Sequence, residues 1–466
     1  MFQPVSSKVS FTELEDRNLK LWKELEVFRR TWDEAKDKPL FMLYEGPPTA
    51  NGTPGIHHVL ARVFKDVIPR YKTMQGYRPF RKGGWDTHGL PVELEVEKQL
   101  GITTKHEIED YGIDKFNALC RESVMRYVKE WEELTERIGF WIDMDNAYIT
   151  FDNGYIQSGW WIIKELWDRN LVYQGFKVTP HCPRCVTSLS SHEVSLGYKE
   201  DTEDPSVFVR FPMSTEQGEA SDAAKSMGWS DSGWDGAPPS VLAWTTTPWT
   251  LTANVALAVA PKEEYALVLS PDGSERLMLA KPRVKDVLGE GWTVQHTFKG
   301  SELQGLRYEP PFINATEHEG KSFHHRVLPA NYVGMDDGTG VVHTAPAYGA
   351  EDQELGRTFN LPTVHAVDLQ GNVAGDYPGA GKFVKEADVD ISADLTQRGL
   401  MFRQETLLHT YPFCWRCGTP LIYYAKPSWY IRTTEYKDEL VASNGDINWH
   451  PEHIQEGRFG EWLRNN

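Results

Sequence analysis

Apolar positions in the first third of the chain repeat mostly at helical spacing. In VLARVFKDVIPRYKTM, Val59, Val63, Val67 and Ile68 fall on one side of a helix. Ahead of it, FMLYEG (41–46) reads as a short strand, and the stretch between is crowded with Gly, Pro and Asn. Strand, glycine-rich loop and helix, in that order, present backbone N–H groups and a helix start to a phosphate. Thr12 and Glu15 have capping-box spacing and predict an amphipathic helix to about Arg30. RPFRKGGWDTHGLP reads as a second strand and loop, followed by helices over roughly 92–100, 114–138 and 154–170.

The pattern changes near residue 200. SVFVRFPM, SVLAWTT, NVALAVAP, YALVLSPDG, ERLMLA, RVLPANYV and TGVVHTAP are short strands separated by turns, giving a β-rich block to about residue 400. Within it, the polar stretch 214–239 is rich in Gly, Ser and Asp and is expected to be a surface insertion, mobile or disordered. The order predicts an α/β fold: a parallel Rossmann-type sheet interrupted by a β-rich α+β domain. No internal repeat is found.

Length and composition narrow the function. At 466 residues the chain exceeds one ordinary core. No apolar run approaches the ~18 residues needed to span a bilayer. MFQPVSSKVSFTELEDR lacks a basic region followed by an apolar one, so a cytoplasmic protein with no membrane partner is expected. A net charge of −18 argues against indiscriminate nucleic-acid binding. A local basic run remains: Arg62, Lys65, Arg70, Lys72, Arg78, Arg81 and Lys82, against the single acid Asp66. It reads either as a solvated face or as a patch that meets phosphates.

Of the five cysteines, four form two CxxC pairs, Cys182/Cys185 and Cys414/Cys417. Each pair brings two thiolates to one ion, and two pairs complete a tetrahedral four-sulfur site. Ligand type points to Zn2+. Such a site has no open position, so it is expected to be structural. The pairs flank the β-rich block and would clamp the place where the chain leaves and returns. Cys120 is left over, as a small buried hydrophobe.

GWDTHGLPVE (84–93) and AWTTTPWTLTAN (243–254), taken with GPPTANG, resemble the isoleucyl-tRNA synthetases of class I. The resemblance runs along nearly the whole chain. GTGVVHTAPAYGAED (338–352) is similar to the second motif of that family's editing pocket, and LIYYAKPSWYI (421–431) to the return toward its catalytic core. It implies a division into 1–180 (N-terminal helix and first half of the Rossmann domain), 181–203 (zinc-bearing stem), 204–405 (editing domain), 406–430 (stem again) and 431–466 (return). By the same resemblance, Gly46 and Pro47 line the isoleucine pocket and Asp86 holds the substrate ammonium. Asn51, Gly52, His57 and His58 belong to the ATP site, with Gly55, His57 and His58 as the catalytic motif. Thr245, Thr246, Thr247, Asn254, His343 and Asp352 belong to the editing pocket. The implied substrates and partners are isoleucine, ATP with Mg2+, and tRNA(Ile), and a monomer is expected.

The family's HxGH motif would occupy residues 55–58, but here the order is Gly55, Ile56, His57, His58. First and third positions are exchanged. Either His57 sits beside adenine and the site still works, or adenylate synthesis is crippled; Asp86, Gly46, Pro47 and Asn51 in place favour the first. The family's KMSKS motif does not occur. The chain is therefore expected to be part of a longer enzyme, unable to charge tRNA by itself. A standalone hydrolase of mischarged tRNA and a silent tRNA-binding paralogue are the competing readings.

Overall fold

Ser10 starts the first helix. Its hydroxyl accepts the Glu13 N–H at 3.4 Å, so α1 (Phe11–Glu24) is capped two residues before the predicted Thr12. Glu26 takes a left-handed φ of 46° and breaks the helix before α2 (Val27–Asp33), which splits the single helix expected to Arg30. In this computed structural model, residues 8–43, 45–217, 222–230, 232–313 and 315–465 are described. They fall into two units, Met1–Tyr173 with Ile431–Asn466, and Gln174–Tyr430.

The first unit is built on three parallel strands in the order β1 (Leu40–Leu43), β2 (Arg78–Trp85), β3 (Asp143–Ile149). α3 (Ile56–Met74) is the crossover between β1 and β2. The helix predicted over 114–138 is two, Ile113–Val124 and Val128–Arg137; the last of the predicted three is Asn153–Asp168.

α3 departs from the sequence reading in which side it buries. Val63, Val67 and Ile68 are at least half exposed, whereas Arg62 is 5% exposed. Arg62 lies over the Trp131 ring at 4.9 Å and bonds Thr135. Asp66 pairs with Arg70 and with Arg81, itself 1% exposed. The basic run is thus not a uniform solvated face: Arg62 and Arg81 are buried, and Arg62 and Lys65 line a cleft. Arg62, Arg70, Lys72 and Arg81 sit against aromatic rings, and Asp66 pairs with two of them, which offsets the desolvation of buried charge.

The second unit carries a six-stranded sheet in the order Thr293–Lys299, Glu264–Leu269, Arg276–Ala280, Ser240–Thr245, Tyr198–Pro212 and Met401–Pro412. The last two form a long antiparallel ribbon, with Met401 opposite Val209 and Pro412 opposite Tyr198. A three-stranded sheet, Arg326–Pro329, Ala256–Val259 and Val341–Thr344, packs into the same core. The polar insertion is not disordered over its described residues. Asp222–Ser226 is helical, Trp229–Ser230 pairs with Gly233–Trp234, and Ala223, Ala224, Met227 and Trp229 are buried in the main core. Four apolar side chains anchor it there against its polar composition. Positions 218–221 and 231 of the insertion lie outside the described residues. Among the described residues, no helix is long and apolar enough to cross a membrane.

Candidate functional sites

The loop after β1 and the start of α3 enclose a cleft of about 370 Å³. Gly46, Asn51, Gly52 and His58 line it, with Glu45 and Lys65. Pro47, Gly55, His57 and Asp86 are not among its lining residues. Asp86 follows β2, half-buried, and its N–H donates to Pro48 O at 3.0 Å. Asn51 donates to Pro91 O at 2.9 Å, and the Trp131 indole donates to Gly52 O at 2.9 Å, so side chains from elsewhere in the unit pin the loop. The sequence reading missed Glu45 and Trp131, and carried Lys65 only as a member of the basic run. Lys65 donates to Glu45 at 2.8 Å and Glu45 is 9% exposed; only packing marks these residues out.

Gly55 is the N-cap of α3, with extended backbone, and the helix begins at Ile56. The Gly55 N–H donates to His58 Nδ1 at 2.9 Å. That bond requires a bare Nδ1, so the ring proton is on Nε2. Burial, then His57 and Arg62, hold the His58 imidazole below its usual range. His58 therefore offers the cleft a neutral N–H donor. His57 is exposed, and its ring packs on His58 at 3.8 Å between centroids.

The exchanged order has a steric signature. A Cβ on Gly55 would come within 2.9 Å of His57 Cε1. Gly55→Ala is expected to swing the exposed His57 ring off His58 at a cost below ~1 kcal/mol, because the ring is free to move outward. Histidine NMR should show the His57 and His58 signals shifting together, with His58 titrating higher once the neighbouring ring has left. No response of His58 would mean the two rings are not coupled.

In the second unit, three threonines end the strand Ser240–Thr245 and lead into the 3-10 turn Pro248–Ala253. Thr247 N–H donates to Thr245 Oγ1 at 3.2 Å, and the two hydroxyls are 3.2 Å apart. Thr247 Oγ1 is 3.0 Å from Thr250 Oγ1, which is 2.9 Å from His343 Nε2. Thr250 gives its proton to Thr247 O at 2.8 Å, so it accepts from His343 Nε2–H and from the Thr247 hydroxyl. Burial pushes His343 down to about 4, so it is neutral at pH 7 and fixes the direction of this chain of hydroxyls. Thr246 is half-buried beside them. Thr250 lies within the quoted TTTPWT run; its three-residue spacing from Thr247 in a turn was the available signal.

Asp352, on the helix Ala350–Phe359, accepts the Ala345 N–H at 3.0 Å and the Tyr332 hydroxyl at 3.2 Å. His343 and Ala345 lie two residues apart at the end of the strand Val341–Thr344, so the threonine line and Asp352 are each tied to that strand end. Burial pushes the Asp352 carboxyl up to about 6. Gly349 leaves it room, since a Cβ there would meet Oδ2 at 2.5 Å. Asn254 is fully buried; its amide donates to Ala256 O at 2.9 Å and accepts from Tyr308 at 2.6 Å. Its side chain thus bridges Ala256 and Tyr308 inside the core.

Cys182, Cys185, Cys414 and Cys417 bring their sulfurs within 4.8 Å of one another, three of them buried. A tetrahedron with ~2.3 Å metal–sulfur bonds has edges of about 3.8 Å, so the set fits one cation. Each CxxC turn closes on a left-handed residue, Val186 at φ 52° and Gly418 at φ 72°. Gly197 permits the ribbon to close beside them: a Cβ there would lie 1.9 Å from Phe413 O. Cys120, by contrast, is half-buried beside Val96, Ile108 and Phe116.

Residues 17–466 match a family profile described as tRNA synthetases class I (I, L, M and V). Isoleucine–tRNA ligase of Dehalococcoides mccartyi is 56% identical over 100% of this chain and 47% of its own length. The Thermus thermophilus enzyme of that name is 50% identical over 100% of this chain and 42% of its own. For the Thermobifida fusca enzyme the figures are 47% identity, 100% and 42%. The chain thus spans about half the length of the curated relatives it matches.

Proposed function

Because the chain belongs to the class I tRNA synthetase family (I, L, M and V), we propose that it forms part of an isoleucine–tRNA ligase. In this reading, the cleft after β1 takes ATP with Mg2+ and isoleucine. Asp86, Gly46 and Pro47 meet the amino acid, and Asn51, Gly52 and His58 meet the nucleotide. His58 contributes an Nε2–H bond to a phosphate oxygen as adenylate forms, while the start of α3 and Lys65 carry the positive potential. His57 stands at the rim, where its ring can lie beside adenine. The four cysteines hold a structural Zn2+ at the base of the ribbon Tyr198–Pro212/Met401–Pro412.

The threonine site is read as the editing pocket for valyl-tRNA(Ile). One methylene separates valine from isoleucine, and a hydrophobic pocket gains only ~1–3 kcal/mol from it, a general figure itself established on this enzyme family. A second, hydrolytic pocket is the remedy. Asp352 takes the α-ammonium by a charge-assisted bond. The directed hydroxyls leave Thr245 with an acceptor lone pair turned to incoming donors, able to orient a water on the ester. No strong base is at hand, since His343 is neutral, buried and already committed to Thr250. Rate enhancement then comes mainly from placement.

The convergence of the threonine line and Asp352 on one strand end is the observation that carries the editing reading. Incubating the 466-residue chain with Val-tRNA(Ile) tests it. Deacylation faster than the buffer rate is expected, with Ile-tRNA(Ile) spared. A valyl ester as stable with protein as without it would overturn the reading. A longer protein containing this chain should be needed for ATP–pyrophosphate exchange.

A further inference from the structure

Asp388, on the helix Val384–Gln397, is 3% exposed. Its Oδ1 accepts the Trp249 N–H at 2.8 Å. Its Oδ2 is buried and has no hydrogen-bond partner among the described residues. Trp249 stands in the turn Pro248–Ala253, directly before Thr250 and two residues after Thr247. The segment that carries the threonine line is therefore tied to a carboxylate on another element. One helical turn on, Ser392 Oγ is also buried without a partner among the described residues, so the two atoms do not bond each other.

The charged and titratable groups around Asp388 can be named element by element. On its own helix, Lys385 pairs with Asp204. On Tyr198–Pro212, Asp204 is 4% exposed and also bonds His409 Nε2 at 3.0 Å. On Met401–Pro412 there are His409 and Tyr411, whose ring lies 4.0 Å from Lys385 Nζ. The turn Pro248–Ala253 contributes no titratable side chain. Asp204 thus has two side-chain partners, Lys385 and His409, while the one hydrogen bond to Asp388 comes from a backbone N–H.

We propose that Asp388 is a positioning residue for the threonine site, holding the Trp249 turn as a carboxylate and loosening it when protonated. This rests on the reading of Thr245–Thr250 as the hydrolytic pocket. A hydrogen bond onto an ionised carboxylate is shorter and stronger than one onto a neutral acid. A protonated Oδ2 would need an acceptor, and among the described residues none lies within hydrogen-bond reach of it. Loosening Trp249 displaces Thr250 and, through it, the ordered line from Thr245 to His343. Burial pushes Asp388 up to about 7; the Trp249 N–H and then Lys385 pull it down, and Asp204 pushes it up. The exchange between the two forms falls where the pocket works.

The linkage has a definite sign. The unfolded carboxyl loses its proton near 4, the folded one near 7, so global stability falls as pH rises between them and then levels. Local order at the turn moves the opposite way. Hydrogen exchange of residues 245–253 in the whole chain, corrected for intrinsic rates, reads the turn from pH 5.5 to 8.5. Protection is expected to rise at least threefold through about pH 7 in the wild type and to stay flat in Asp388→Asn, which keeps an acceptor but cannot ionise. Asp388→Ala should lower protection at all pH values. Deacylation of Val-tRNA(Ile) should follow the same pattern, with the ratio of wild type to Asp388→Asn rising at least threefold on the alkaline side. Protection that ignores pH in the wild type, or is unchanged in both variants, overturns the proposal, and the wild-type titration alone suffices if a variant does not fold. A switch in protection with no deacylation by any form would sink the editing reading while leaving Asp388 as the anchor of the turn.

Discussion

Cys182→Ala is expected to release the metal and unfold the base of the ribbon, the largest stability loss that a single side chain in this protein should produce. Cys182 is fully buried, and its sulfur lies 3.5 Å from that of Cys417, across 235 residues of sequence. A bound cation joins two chain segments that are otherwise held by strand pairing and a few side-chain contacts such as Arg416–Glu193. Structural zinc contributes ~10–16 kcal/mol in small zinc-finger peptides. The second unit has a large core of its own, so a loss of several kcal/mol is the appropriate order here. The left-handed Val186 adds to it: a β-branched residue at φ 52° persists only while its surroundings impose that geometry. Metal analysis should give one zinc per wild-type chain and none for Cys182→Ala, with a lower melting temperature. Cys120→Ala is the control and should retain the metal. A Cys182→Ala protein that kept one zinc per chain would refute the four-sulfur site.

How much of this was legible beforehand depended on the kind of information each feature carries. The four cysteines could be assigned across the β-rich block because ligand chemistry does not depend on sequence distance. The parallel strands and the glycine loop were legible for a similar reason: period and turn residues act locally. α3 was misread on the same evidence. Its apolar stripe is exposed and its charged stripe buried, since Trp131, Phe140 and Asp66 make a buried arginine tolerable. No local pattern announces such partners. The insertion failed in the opposite way. Its Gly, Ser and Asp content outweighed four apolar residues that anchor it to the core. At the sites, the threonines and Asp352 were visible through resemblance, but the residues that orient them were not. Tyr332 and Asp388 meet these segments through hydrogen bonds across the chain, which only coordinates supply, and Thr250 was marked by no more than its spacing from Thr247.

Asp352→Asn should weaken editing and strengthen the fold, and the two opposite signs make it the most informative substitution in the second unit. The carboxyl is half-buried, accepts from Ala345 N–H and Tyr332, and is pushed up to about 6 by burial. A folded pKa above the unfolded value means the folded state holds its proton longer, so stability declines as pH rises from about 4 to about 6. Asparagine removes that penalty. Discounted for partial exposure, the variant should be ~1–2 kcal/mol more stable near pH 7 and equal to the wild type below about pH 4. Hydrolysis moves the other way. A neutral amide cannot make the charge-assisted bond to an ammonium, worth ~1.5–3 kcal/mol, so deacylation of Val-tRNA(Ile) should drop roughly 10- to 100-fold at pH 7.5. The deficit should shrink as pH falls through about 6, because the wild type then loses its own charge. Chemical unfolding and deacylation measured on the same samples decide the matter. A variant that loses both stability and activity would mean Asp352 serves the strand end as scaffold, through its bond to Ala345, and not the substrate.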